Sequence, residues 1–303
     1  MLMKPRNKPK ELVILESLSP RIEFPEKIKQ QYASLEKGFA GEKLFDSFLS
    51  KLEADVLILN DLLLKVNQTT FQIDSIVITS DGLYVYEVKN YAGDYVYDSK
   101  QDKFFRKPNY EIVNPLYQLG RTESLLKQLL HQQGFNLPVS TFLVFINQSF
   151  TLYQAPVDKP IIHPTQLREH FHQINSIRSK LTRSHHLLAK KLVELHIEKS
   201  PFMQLPTYHY AELKKGIVCS KCRSIETSLV GRLCICYACE HKELAVEAIM
   251  RAVYEFQLLF PERKVTSNAI YDWCKIVPLK QRIKRILEKH MKKEGTNRWT
   301  YYR

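Results

Sequence analysis

The chain has 303 residues, of which 44% are hydrophobic and 25% charged. That excludes a disordered or low-complexity protein and leaves room for about two domains. Lys and Arg outnumber Asp and Glu by 45 to 32, and the net charge of +13 favours a polyanion as partner. Apolar runs such as 57–64 and 141–146 are far shorter than the roughly 20 residues of a membrane-spanning helix. With no secretory leader pattern either, the protein is expected to be soluble and cytoplasmic, without a membrane partner. All six cysteines lie after residue 218, and such clustering reads as metal binding rather than a disulfide framework.

Pattern changes divide the chain into successive parts. Residues 1–30 are charged, carry prolines at 5, 9, 20 and 25, and read as an N-terminal arm. Residues 31–200 alternate helical and strand-like patterns, and 201–216, with Pro201 and Pro206, read as a linker. A cysteine-rich module occupies 217–241, and a basic helical module fills 242–303. From 241 onward there are 14 Lys or Arg against 7 Asp or Glu, so the excess charge is concentrated in the tail.

In the 31–200 region, Ala40, Leu44, Phe45, Phe48, Leu49 and Leu52 recur at helical spacing. Glu42 stands at the margin of that apolar stripe, where a carboxylate wants a partner or a metal. Two β-branched runs follow, 71–79 and 83–89, with Asp81-Gly82 between them as a hairpin signal. With Asp81 and Gly82 as the central turn residues, Asp74 faces Lys89, and Glu87 lies diagonal to Asp74 on the same face. Two carboxylates and an ammonium then converge. Such acids suit a hard divalent cation with oxygen ligands, and the lysine suits a water or a charged transition state. Ile76, Ile78, Leu83 and Val85 are expected to cover that face. The apolar run ending at Ile146 is a buried strand, and the histidines at 163, 170, 172, 185, 186 and 196 are expected on surfaces or helix faces.

Gly41-Glu42 on a helix, Gln72-Ile73-Asp74, and Glu87-Val88-Lys89 after the Asp-Gly turn resemble the nuclease-related domain (NERD) of the PD-(D/E)XK nuclease superfamily. Asn114-Pro115-Leu116-Tyr117-Gln118, opening a helix, is similar to the Gln-bearing helix of that family. The resemblance covers about residues 35–150. It implies an α/β fold, a restriction-endonuclease-like core in which a central mixed sheet is flanked by helices. It also implies Asp74, Glu87 and the Val88 carbonyl as ligands of Mg²⁺ or Mn²⁺, and Lys89 as the catalytic lysine. Glu42 corresponds to the helix acid that orients water or a second metal. Gln118 would lie beside the site, with Arg121 one turn later as a phosphate contact.

Cys219-Ser-Lys-Cys222 and Cys236-Tyr-Ala-Cys239 form C-x2-C-x13-C-x2-C, a spacing that closes four thiolates on a structural Zn²⁺. The module resembles a zinc ribbon. Two features depart from that pattern: Arg223 and Glu240 stand where glycine follows each pair, and Cys234 offers an alternative ligand to Cys236.

After the ribbon, 245–260 reads as an amphipathic helix, 266–274 as a shorter one, and a third begins after Pro278 and continues to Gly295. On the third, Ile283, Ile286, Leu287 and His290 make the inward face, while Arg282, Arg285, Lys289 and Lys292 form a basic stripe. With a strand-like end at 298–303, the module looks similar to a winged helix-turn-helix, whose Lys280, Gln281 and Arg282 would come closest to DNA. Trp273 and Trp299 are expected in the core. The whole reads as a metal-dependent deoxyribonuclease targeted by its C-terminal modules. The alternative is a non-catalytic DNA-binding or scaffold protein with a nuclease-like domain.

Overall fold

The computed structural model describes residues 1–177, 180–198 and 203–303; Pro201, part of the expected linker, lies outside the described residues. In chain order the elements are β1 (Leu2–Lys4), α1 (Lys10–Leu18), α2 (Glu26–Leu49), β2 (Leu57–Val66), β3 (Thr69–Ile78), β4 (Leu83–Lys89), β5 (Gly93–Asp98), β6 (Lys103–Arg106) and β7 (Tyr110–Ile112). There follow α3 (Pro115–Gln132), β8 (Val139–Phe145), β9 (Phe150–Tyr153), β10 (Ile161–Ile162), α4 (Leu167–Ser176) and α5 (Arg183–Glu194). The last third holds β11 (Thr227–Val230), β12 (Leu233–Cys236), β13 (Lys242–Leu244), α6 (Ala245–Leu259), α7 (Ser267–Cys274), α8 (Lys280–His290), β14 (Lys293–Glu294) and β15 (Tyr301–Tyr302).

Two compact units emerge, Met1–Lys8 with Ala33–Met203, and Pro9–Tyr32 with Gln204–Arg303. The expected arm over 1–30 is therefore divided. Its first residues pair as an edge strand of the first unit, and the stretch 9–32 belongs to the second. Prolines at 5 and 9 bound an extended segment, which suits a sheet edge. The boundary near residue 32 falls inside α2, which begins well before the apolar stripe that announced it.

The first unit is built on a six-stranded mixed sheet in the order β1-β2-β3-β4-β8-β10. The pairs β2/β3 and β3/β4 are antiparallel, while β1/β2, β4/β8 and β8/β10 are parallel. One face packs Leu126, Leu129 and Leu130 of α3 and Leu188 and Leu192 of α5 against Ile76, Ile78, Leu83 and Val85. The other packs Phe45 and Leu49 of α2 and Phe171 and Ile174 of α4 against Val77, Tyr86 and Val88. A smaller sheet, β7-β6-β5-β9, carries its own aromatic cluster around Phe104, Phe145 and Phe150. This is the expected α/β core, a central mixed sheet flanked by helices.

One irregularity positions the site. On β2, Leu57 and Leu59 share a core cluster with Leu62 and Leu64, and on β3 Phe71 and Ile73 share it with Ile76 and Ile78. The two-residue alternation of a strand thus breaks at Asn60-Asp61 and, opposite, at Asp74-Ser75. Asp61 sits at φ +54°, a left-handed conformation that interrupts the ladder. Lys4 holds this bend from β1, its Nζ donating to the carbonyls of Asn60 (2.9 Å) and Asp61 (2.6 Å).

In the second unit, β11, β12 and β13 form a three-stranded antiparallel sheet. Helices α6, α7 and α8 follow, with Thr266 capping α7 through Ala269 N–H at 3.1 Å. The antiparallel pair β14/β15 closes the chain, and Tyr302 also bridges to Val265 just before α7. The module thus runs as three helices and a closing hairpin, with an isolated bridge between Val265 and Tyr302. Two details differ from the reading of the sequence. Helix α8 ends at His290 with that residue exposed, so His290 leaves the inward face and Lys292 leaves the helical stripe. Trp273 is fully buried, whereas Trp299 is 81% exposed and is no core residue.

Candidate functional site

The β3–β4 hairpin turns one step earlier than Asp81-Gly82 suggests. Thr79 N–H donates to Gly82 O at 2.9 Å, which makes Ser80 and Asp81 the central residues, and the ladder runs from Ile78↔Leu83 to Ser75↔Tyr86. Continued by one step, that register sets Asp74 opposite Glu87 instead of Lys89. A slip of two residues preserves the face, so the same three side chains still converge. Gly82 is demanded by its neighbour: a Cβ there would lie 2.5 Å from Pro138 O, and its φ is +150°.

Beyond Ser75↔Tyr86 the Asp74 carboxylate replaces a ladder bond, accepting from Val88 N–H at 2.7 Å. Lys89 Nζ donates to Glu87 Oε1 at 2.6 Å and to Gln118 Oε1 at 3.1 Å. Gln118 is delivered by the first turn of α3, fixed by Pro115 and by the Asn114 side chain, which accepts from Leu116 N–H at 2.9 Å. Arg121, one turn on, is exposed. Glu42 comes from α2, which packs closely where Gly41 lies: a Cβ at Gly41 would meet Asn90 Cβ at 2.5 Å.

Sequence reasoning missed Arg6. Just past β1, its guanidinium donates to Glu42 (2.7 Å), Asp46 (3.0 Å), the Asp74 carbonyl (2.7 Å) and Ser75 Oγ (3.1 Å). Its side chain is 1% exposed. Charge and proline content made the segment read as an arm, without assigning it a site residue. The signal available was the extended Lys4-Pro5-Arg6, which sets two cations two residues apart.

Burial of this many charges shapes their titration. Glu87 is pushed up to about 8, first by burial and then by the Asp74 charge. Glu42 rises to about 7 for the same two reasons, Arg6 pulling the other way. Asp74, a buried carboxyl, is raised by burial against the opposing Val88 hydrogen bond. Burial works against the Lys89 charge, but Glu87 and Asp74 outweigh it and its pKa is raised, so it stays an ammonium. Carboxylates that strain to shed their charge are a donor set suited to a hard cation, which relieves the repulsion as protons would. Glu42, Asp74 and Glu87 do not bring three oxygens into one tight group; among the described residues only the cysteines do so. Asp74 and Glu87 supply carboxylate oxygens of the kind such a cation takes.

Cys219, Cys222, Cys236 and Cys239 gather with all four sulfurs within 4.8 Å of one another, and Cys234 lies outside the set. The pairs sit in matched turns: Arg223 N–H donates to Cys219 O at 3.1 Å and Glu240 N–H to Cys236 O at 3.0 Å. Arg223 (φ +64°) and Glu240 (φ +57°) hold the left-handed positions that glycine usually fills, at a cost of roughly 1 kcal/mol each. Four cysteines so placed would close around one ion with no open position, and the cluster fits a small zinc ribbon.

Of the histidines expected on surfaces or helix faces, His170 lies on α4 and His185 on α5, and three make defined contacts. His170 hydrogen-bonds Tyr86 Oη at 2.9 Å, His196 Nδ1 accepts from Leu63 N–H at 3.0 Å, and His185 is buried against Thr182 at the start of α5. No described helix is long and apolar enough to cross a membrane.

The nuclease-related domain model matches residues 37–146, the stretch that supplies Glu42, Asp74, Glu87, Lys89 and Gln118. An uncharacterized protein of Bacillus anthracis is 35% identical over 105 residues, which are 32% of this chain and 48% of that protein. The chain thus spans about half the length of the curated relative it matches. No solved structure matches it. Residues 37–146, which carry the acids and the lysine on a central mixed sheet, thus match a nuclease-related domain.

Proposed function

We propose that the chain is a metal-dependent nuclease that hydrolyses phosphodiester bonds in DNA, brought to its substrate by the zinc ribbon and the basic winged-helix module. One observation carries this reading: buried Asp74 and Glu87 and half-buried Lys89 gather just past the end of the β3–β4 ladder, inside a nuclease-related domain. Asp74, Glu87 and the Val88 carbonyl would hold Mg²⁺ or Mn²⁺. When bound, such a cation polarises a phosphoryl oxygen and acidifies a water.

The remaining steps belong to the protein's own groups. Lys89 keeps its proton and therefore donates, to the attacking water or to the charge that builds on phosphorus-bound oxygens, and does not act as a base. Gln118 fixes the direction of that ammonium. Glu42, with a pKa of about 7, can exchange a proton with a water near neutral pH, and Arg6 orients it. Arg121 on α3 would meet a phosphate. In the second unit, Lys280, Gln281, Arg282, Arg285, Lys289 and Lys292 would contact DNA, and the four cysteines would hold Zn²⁺. A cytoplasmic location suits thiols that must stay reduced to bind metal.

The test is cleavage of labelled DNA by the purified full chain. Wild-type protein cuts with Mg²⁺ or Mn²⁺ and stops with a chelator, while Asp74→Ala reduces cutting by about 10³-fold or more. Absence of metal-dependent cutting on linear, nicked, branched and single-stranded DNA would overturn the reading and leave a non-catalytic DNA-binding protein.

A further inference from the structure

We infer that the β11–β12 turn of the zinc ribbon and the basic face of α8 together form one groove for the sugar–phosphate backbone of DNA, with Arg232 as the ribbon's own contact. This deepens the proposed function by joining two modules into one reader, and it rests on that reading for the choice of DNA.

The turn is rigidly held. Val230 pairs with Leu233, leaving Gly231-Arg232 at the tip, with Gly231 at φ +58°. The Arg232 carbonyl accepts from Ala245 N–H at 2.9 Å, tying the tip to the first residue of α6. Its exposed side chain then lines a groove of about 510 Å³ together with Arg282, Arg285 and Lys289 of α8. All four cations belong to the second unit.

Charge selects the occupant. None of the described residues lining the groove is acidic, and none of the four cations pairs with a carboxylate among the described residues. The other side of the same helix is compensated: Lys284 lies 4.0 Å from Glu288, and Lys293 lies 3.7 Å from that same carboxylate. On α8, Arg282, Arg285 and Lys289 line the groove without a carboxylate partner; Lys280, at the helix start, is also unpaired among the described residues but does not line it. Arg282 to Lys289 spans about 10 Å along the helix, room for two phosphates of one strand. Arg232 adds a contact off the helix axis that a straight helix could not make. Leu279, 67% exposed, and Val246 give the groove an apolar wall suited to deoxyribose.

Binding of a labelled DNA duplex to the zinc-loaded full chain, followed by fluorescence anisotropy over a range of salt, tests this. Arg232→Ala and Arg285→Ala should each weaken binding roughly fivefold and lower the salt slope by about one. Lys284→Ala, which removes the same charge from the compensated side, should stay within about twofold of wild type. Zinc content and circular dichroism establish that each variant is folded. If Arg232→Ala binds like wild type while Arg285→Ala is weakened, the ribbon is no part of the groove and the inference is overturned. Equal losses for Lys284→Ala, tighter binding of an acidic peptide than of DNA, or no DNA binding at all would also overturn it. Metal-dependent cutting by the same preparations keeps the two ideas apart. Wild-type cutting with an Arg232→Ala variant that binds normally would sink only the groove. Arg232-dependent binding without any cutting would sink only the nuclease.

Discussion

The two units handle charge in opposite ways. In the first, Glu42, Asp74 and Glu87 are driven out of water beside Arg6 and Lys89, and most of their charge is answered inside the fold. In the second, Arg232, Arg282, Arg285 and Lys289 stay solvated and unanswered, around a scaffold fastened by four cysteines. Buried, mutually strained charge is what chemistry at a reacting phosphate needs, because low dielectric magnifies each interaction. Exposed charge gains little from any one contact but accumulates affinity through counterion release. The net +13 reports the second arrangement and conceals the first.

The sharpest way to break the comparison is to remove the metal that the four cysteines are proposed to hold in the second unit. Chelation of Zn²⁺, or Cys236→Ser, should unfold the ribbon, since structural zinc supplies roughly 10 kcal/mol to such modules. Hydrogen exchange should then rise over 217–244 and remain slow in the β3–β4 core. Loss of protection in both would show that the units are not separable.

Next in size is Arg6→Ala. It leaves Glu42 and Asp46 without their buried cation and should cost about 3 kcal/mol, read as a lower urea midpoint. Arg6→Lys should recover only part of it, because one ammonium cannot reproduce four directed hydrogen bonds. A midpoint unchanged in Arg6→Ala would mean that the acids do not need the guanidinium.

Smaller, but opposite in sign, is Glu87→Gln. The folded-state pKa of Glu87 is raised to about 8, so its contribution is fully present below the unfolded value near 4.5 and is lost as pH rises toward 8. Metal-free wild-type protein should therefore lose stability across that window. Glu87→Gln should be more stable than wild type at pH 8, by on the order of 2 kcal/mol, and little different at pH 4.5. His170 acts in the other direction. Burial lowers it to about 4, so its contribution is complete above the unfolded value near 6.5 and fades as pH falls toward 4. Melting curves in chelator at several pH values separate the two, since only the Glu87 effect disappears in the Gln variant.

Much of both sites was legible in the sequence, for different reasons. Each cysteine pair brackets a tight turn, so local spacing alone brings the pair to one ion; the choice between Cys234 and Cys236 was not legible, and it falls to Cys236 because that residue ends β12 and opens the turn while Cys234 lies two residues back in the strand. The hairpin acids were legible to their face but not to their partners. Gly82 looked like a turn residue, yet it is needed where the chain passes against Pro138, a contact no local pattern shows. The error of two residues did no harm because strand faces repeat every two. Arg6 was invisible: its partners lie 36 and 68 residues away and meet it only through a parallel edge strand, and no spacing rule reaches that far. The role of His196 was invisible likewise: its Nδ1 accepts from Leu63 N–H, a partner 133 residues away.

The most direct measurement follows cutting and binding in one experiment, comparing Lys89→Ala with Arg285→Ala in Mg²⁺ across DNA concentrations. Lys89→Ala should bind DNA as wild type does and cut at no concentration, whereas Arg285→Ala should need more DNA, and more still at higher salt, to reach half-maximal cutting. If the two variants instead lose binding and cutting in the same proportion, the division between a buried chemical site and an exposed binding face is contradicted.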